Sequence, residues 1–385
     1  MSTPYHPDLH HVIPGRHRHP DFFQHQTQPV EFDIIIFSHL RWDFVLQRPQ
    51  HIASRLAHHM KILFVEEPIP YNKEEEGTAR LRQVNEHITV MQPRVQEIKD
   101  IEQLLKFMVR QKTVPIGWFY SSDFSPLLRS LHFRKIVYDC MSDHEPRPDA
   151  DEPAMLAEAD IVFTDSKALF ESRIRVHPNV HCFPSSVEHG HFRKALKNIA
   201  VPGDIAELKK PVVGYCGVID GRLDMDLLDK VAEQSPETTF VLIGPLVNMP
   251  ESKLPKRSNV HYLGMKPYHL LPGYLKGIDI AMIPFDIKGA HKLSGPTETL
   301  EYMAAGKPII STPIWDVVRD YRNHINIVNN VDEFCAARDA IIKQLESQVY
   351  NHEKYNDILH TSSWEDTVKR MEKLIQALHV KERQV

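Results

Sequence analysis

The sequence predicts an α/β protein built as two doubly wound, Rossmann-like halves with a cleft between them. Three observations carry this. Short apolar runs alternate with helical stretches in two successive series, as expected of strands buried on both faces of parallel sheets. A polar run containing Asn198, Pro202 and Gly203 separates the two series and reads as a hinge linker. The chain, at 385 residues, is long enough for two globular domains of ordinary size.

Taken in order, residues 1–30 are rich in His and Pro, lack apolar periodicity and read as a disordered tail. The continuous apolar run 32–38 is the first strand, residues 47–60 are the helix after it, and 62–65 is the next strand. Runs at 116–120, 135–139, 161–164 and 180–183 complete an N-terminal domain over 31–195. The charged run Lys73 to Glu76 reads as a solvated loop, and residues 120–125 as a further loop at the cleft. The second series, at 212–216, 239–243, 260–263, 278–283 and 309–311, defines a C-terminal domain over 205–355. A last helix within 360–380 carries Trp364, Val368, Met371, Leu374, Ile375 and Leu378 at helical spacing. In a fold of this kind ligands bind at the carboxyl ends of the strands, which here face the cleft.

Residues 294–313 are the most informative stretch, reading as loop, helix, stop and strand. Pro296 suits a first helical position, Gly306 a left-handed stop, and Pro308 prevents continuation. A helix of about ten residues would aim its free N–H groups at an anion. Glu301, in the second turn, leans back toward the same end and offers a carboxylate to sugar hydroxyls. This pattern points to a nucleotide-sugar site.

Composition narrows the function. The charged fraction is 25%, the hydrophobic fraction 42% and the formal net charge −5, which suit a soluble globular protein with no global pull toward nucleic acid. No apolar run approaches the roughly 20 residues of a membrane span. Cys140, Cys182, Cys216 and Cys335 lack metal-ligand spacing and read as reduced thiols. The expected location is cytoplasmic, with peripheral contact to the inner face of the membrane left open.

Leu300-Glu301-Tyr302-Met303-Ala304-Ala305-Gly306-Lys307-Pro308 resembles the donor-site helix of family-4-type glycosyltransferases of the GT-B fold. Residues 37–51, 138–143, 163–166, 179–187, 215–219, 241–245 and 259–264 resemble bacterial glycosyltransferases of cell-surface polysaccharide and teichuronic acid pathways. The resemblance runs from about residue 33 to the C-terminus, and order and spacing make it specific where single segments are not. It implies two Rossmann-like domains, with the terminal helix crossing back to the first. It also implies a retaining, metal-independent transfer and a donor ribose held by Glu301.

Several further residues follow from their places on this plan. The donor side takes Gly217 and Val218 after the first strand of the second domain, Gly244, Gly264, Met265 and Lys266 after the next two strands, and Ser294, Gly295, Thr297 and Glu298 with Glu301. Charge develops on the departing diphosphate, so Arg222 and Lys292 are the catalytic cations. Asp143 and His144 follow a strand that ends at the cleft and are placed to contact the reacting sugar or the acceptor hydroxyl. Arg41, Trp42, Asp43, Arg48 and His51 form the expected acceptor side, with Trp42 available to stack on a sugar. Asp224 and Asp226 have the spacing of a metal motif from another glycosyltransferase fold, but they open a helix, where acidic residues belong for other reasons. No metal is expected.

Two positions depart from the family pattern. Leu293 replaces a Glu that contacts the transferred sugar in many members, and Glu298 stands where a Lys is usual in the closer group. The expected function is transfer of a hexosyl unit from a nucleotide diphosphate sugar, a UDP-sugar first, to a saccharide, lipid-linked or small-molecule acceptor. No cofactor is expected beyond that substrate, and the oligomeric state is open. Two alternatives accompany this reading: a non-catalytic subunit or glycan-binding protein of the same fold, and a nucleotide-sugar epimerase.

Overall fold

The computed structural model describes residues 30–141, 147–148, 150–287 and 295–379. The predicted tail, apart from Val30, lies outside these.

The first sheet has eight strands: β1 (Ile34–Ser38), β2 (Ile62–Glu66), β3 (Thr78–Gln83), β4 (Ile88–Arg94), β5 (Thr113–Phe119), β6 (His132–Cys140), β7 (Ile161–Thr164) and β8 (Val180–Cys182). Their order is β3-β4-β2-β1-β5-β6-β7-β8, with every described pairing parallel except β3 against β4. β1 lies between β2 and β5, so Ile34 pairs with both Ile62 and Ile116. The chain reverses its winding there, which opens a crevice at the carboxyl ends of β1 and β5.

Period-two alternation splits the strand side chains between two cores. Ile35, Phe37, Leu63, Val65 and Phe119 fill one face, while Ile34, Ile36, Phe64 and Trp118 fill the other. The terminal helix Trp364–Ala377 covers the second face with Trp364, Val368, Met371 and Ile375. Ser363 caps it by accepting a hydrogen bond from the Asp366 N–H.

The second sheet comprises β9 (Val212–Cys216), β10 (Thr239–Ile243), β11 (Val260–Tyr262), β12 (Ile280–Ile283), β13 (Ile309–Ser311) and β14 (Asn326–Ile327). Its order, β11-β10-β9-β12-β13-β14, is that of a dinucleotide-binding sheet, and its described pairings are all parallel. The switch point lies between β9 and β12.

The sequence reading missed β3, β4 and β14. β3 reads Thr-Ala-Arg-Leu-Arg-Gln, an edge strand half open to solvent that lacks the apolar run used to find the others. β14 has two residues, too few for any periodicity. Among the described residues no helix is long and apolar enough to cross a membrane.

Candidate functional site

Three glycines stand in a row where three neighbouring strands of the second sheet end. Gly217 follows β9, Gly244 follows β10 and Gly264 comes shortly after β11. Their backbones are laddered: the Gly217 N–H donates to the Ile243 carbonyl at 2.9 Å, and the Gly244 N–H donates to the Gly264 carbonyl at 3.0 Å. A Cβ on Gly244 would stand 1.8 Å from the Gly217 carbonyl oxygen, so no side chain fits between the two turns. The carboxyl rim of the sheet is therefore backbone packed on backbone at Gly244, with the ends of the Glu298 and Tyr215 side chains over Gly217.

Helix Glu298–Ala304 faces this rim. It has seven residues rather than the expected ten or so. Pro296 is not its first residue; it opens a tighter turn in which the Thr299 N–H donates to the Pro296 carbonyl at 3.1 Å. The far end is as the sequence indicates, with Gly306 at φ +69°. Tyr302 fastens the helix to β9. Its hydroxyl accepts from the Cys216 N–H at 2.7 Å and donates to the Cys216 carbonyl at 3.2 Å.

Two carboxylates project from this helix. Glu301 is partly buried and has no hydrogen-bond or ion-pair partner among the described residues. Burial, and then the neighbouring Glu298, push its carboxyl up to about 8. Glu298 accepts from the Tyr215 hydroxyl at 3.3 Å and lies over Gly217. Burial raises it above the usual carboxylate range, against the pull of Arg222 and the Tyr215 hydroxyl.

Arg222 sits in the loop after β9. Its Nε is 3.0 Å from both Asp220 carboxylate oxygens and its Nη2 is 2.9 Å from one of them. The guanidinium also lies 5.6 Å from the centre of the Phe285 ring. Burial alone would lower its pKa; Asp220, Tyr215 and Glu298 reverse this and keep it charged. Neither Asp220 nor Tyr215 was picked out by sequence reasoning. The Asp-x-Arg spacing was the available signal for the first, and the pairing of an aromatic on β9 with an acidic helix start for the second.

The remaining donor-side residues divide. Val218 is buried, and its carbonyl accepts from the Tyr215 hydroxyl at 3.1 Å. Met265 is exposed, and Lys266 turns away from the rim to pair with Asp204 at 2.7 Å. Gly295 packs against Asp316. The Thr297 hydroxyl meets the Ser185 hydroxyl at 3.0 Å, linking the helix to the loop after β8. Lys292, Ser294 and Leu293 lie outside the described residues, as do Asp143 and His144. Asp224 is occupied as a helix cap, accepting from the Leu227 N–H at 2.8 Å. Among the described residues no group of three or more His, Cys, Asp or Glu side chains is placed to hold a metal ion.

The candidate acceptor residues are tied into the first half. Arg41 reaches Glu66 at 3.2 Å and the Glu67 and Pro68 carbonyls. The Trp42 ring packs edge-on to Phe64, and Asp43 pairs with Arg82. Arg48 is buried against Asp139 in a two-pronged ion pair, with the Phe183 carbonyl as a third acceptor. His51 stacks on Trp364, 4.9 Å between ring centres, and meets Tyr268 of the second half at 5.8 Å. Burial, with Arg55 and His191 beside it, lowers its pKa to about 3, so it is neutral. The sequence did not foresee that Arg48 and His51 are so fully engaged by the protein itself.

Comparison with known proteins places this geometry. Residues 210–344, which span the glycine rim and the Glu298–Ala304 helix, match the model of the glycosyl transferases group 1 family. A curated relative, the putative teichuronic acid biosynthesis glycosyltransferase TuaH of Bacillus subtilis, is 24% identical over 274 residues, covering 64% of this chain and 68% of its own. Sucrose-phosphate synthase from Thermosynechococcus elongatus superposes with a TM-score of 0.67 at 13% identity, over 89% of this chain and 98% of that one. Anabaena HepE, solved in complex with UDP and glucose, gives 0.61 at 12% identity, over 90% and 100% of the two chains.

Proposed function

Because the chain is a glycosyltransferase of the GT-B fold, we propose that it moves a hexosyl unit from a UDP-sugar to a saccharide, lipid-linked or small-molecule acceptor. The transfer retains anomeric configuration and uses no metal, in polysaccharide or glycoconjugate synthesis. A lipid-linked acceptor would bring the chain to a membrane surface by peripheral contact.

One observation carries the donor reading: a partnerless carboxyl group, Glu301, beside the glycine rim, within the matched segment. A half-buried carboxyl group with no protein donor is open to a ligand that supplies one. The vicinal hydroxyls of a ribose do so. The glycine rim lets the nucleotide lie along backbone, and Arg222 is close enough to meet a diphosphate. As the anomeric bond breaks, its electron pair passes to the diphosphate, whose charge Arg222 stabilises; the acceptor oxygen bonds to the anomeric carbon and its proton passes to the departing diphosphate. The UDP and glucose bound by HepE and the putative place of TuaH in teichuronic acid biosynthesis favour a uridine donor and a polymer acceptor.

The test is a thermal-shift panel with UDP, GDP, ADP, TDP and CDP on the parent chain and Glu301→Ala. A native-state ligand at a hundredfold excess over its dissociation constant stabilises by about 2.7 kcal/mol. UDP should raise the melting temperature selectively, and Glu301→Ala should abolish the rise. A shift that survives Glu301→Ala removes the ribose assignment, and no shift with any of the five removes the donor site.

A further inference from the structure

Glu298 stands where the donor phosphates should come. A Cβ built on Gly217 would lie 2.4 Å from its Oε1 and 2.5 Å from the Tyr215 hydroxyl. The carboxyl group therefore fills the space directly above the one residue whose lack of a side chain opens the rim at β9. The Tyr215 hydroxyl, whose single proton is shared between the Val218 carbonyl at 3.1 Å and Glu298 at 3.3 Å, lies beside it. Tyr215 is itself fully buried, packed at the end of its strand and unable to swing away.

We propose that Glu298 is an internal stand-in for the donor diphosphate: its carboxyl group occupies the phosphate seat over Gly217, and a nucleotide binds only when that group leaves the seat or becomes neutral. The inference rests on the donor-site reading above and adds to it a residue that sets which anions the seat accepts. Its logic is charge balance. Among the described residues, the titratable groups around Glu298 are Tyr215 and Cys216 of β9, Asp220 and Arg222 of the loop, and Glu301 and Tyr302 of its own helix. Arg222 is the one cation of this set, and Asp220 already neutralises it. With Glu298 ionised these described groups are net negative before any phosphate arrives, because Asp220 and Arg222 cancel, and like charges at this range repel strongly. A diphosphate that displaces Glu298 gains the space over Gly217 and the side of Arg222 that faces Tyr215. Protonation of Glu298 achieves the same electrostatically, so donor binding takes up a proton.

Isothermal titration with UDP in metal-free buffer separates the outcomes. Glu298→Ala empties the seat and Glu298→Gln keeps its shape without charge. Both should tighten UDP binding at pH 8, the alanine variant by about tenfold or more. The parent chain should gain affinity between pH 8 and pH 6 more steeply than Glu298→Gln does. Because UDP titrates identically against both proteins, that difference reports Glu298 together with its coupling to Glu301. Equal or weaker UDP affinity in both variants, each with an intact unfolding transition, overturns the proposal while leaving the donor site standing. Absence of UDP binding to the parent and to both variants overturns the donor-site reading and the proposal with it.

Discussion

Glu301 carries a cost for the folded protein that depends on pH. Its carboxyl group titrates near 8 in the fold and at the usual 4.5 when unfolded. Between those values the unfolded chain has lost the proton that the folded chain keeps. Stability is therefore complete below about pH 4.5 and falls as pH rises to about 8. Glu301→Gln should remove this loss. Its melting temperature should match the parent near pH 5 and exceed it by several degrees near pH 8.5, as differential scanning calorimetry in the absence of nucleotide would record. Equal melting temperatures at both pH values would mean that Glu301 is better solvated than its surroundings indicate. His51 has the opposite sign. Its lowered pKa gives stability that is whole above 6.5 and is lost as pH falls toward 3.

At the scale of elements, the turns that end the strands of the second sheet are held to one another by backbone contacts. Gly244 is the tightest point, because an added Cβ meets a carbonyl oxygen rather than a mobile side chain. Gly244→Ala should cost about 2–4 kcal/mol and should separate the turns after β9 and β10, losing UDP binding as well. Urea unfolding and UDP titration of the same variant check both parts, and a loss confined to either would place the two turns in separate roles. Gly217→Ala differs, since the atoms in its way are the ends of the Glu298 and Tyr215 side chains. This contrast marks what the sequence could and could not convey. The glycines, Glu301 and the Gly306 stop were legible because backbone freedom and helix ends leave local signatures. The length of helix Glu298–Ala304 was not, because Pro296 is equally suited to a first helical turn and to the tighter turn it forms. Arg48 and Asp139 are 91 residues apart, and nothing local in either segment announces that they neutralise each other. The β3–β4 hairpin was hidden by its polar edge, which solvent exposure permits.

At the scale of the whole molecule, the two halves meet where the terminal helix begins. Trp364 is buried in the core of the first sheet and stacks on His51. His51 touches Tyr268, which stacks on His191 at 4.3 Å and donates its hydroxyl to Glu188. Ser186 and Thr367 share a hydrogen bond of 2.7 Å beside them, and Lys167 pairs with Asp320 across the cleft at 2.8 Å. The exposed ion pair adds little, and the buried aromatic contacts carry the coupling. The two sheets should therefore melt as one unit although each has its own core. Trp364→Ala removes the ring that joins the first core to His51, at a cost of about 3–5 kcal/mol. With that joint gone, calorimetry should resolve the single transition into two, the lower one belonging to the first sheet. UDP, bound at the glycine rim, should then raise only the transition of the second sheet, whereas in the parent it raises the single transition. A variant that still melts in one step, shifted as a whole by UDP, would locate the coupling in the contacts of Ser185 with Thr297 and Lys167 with Asp320 instead.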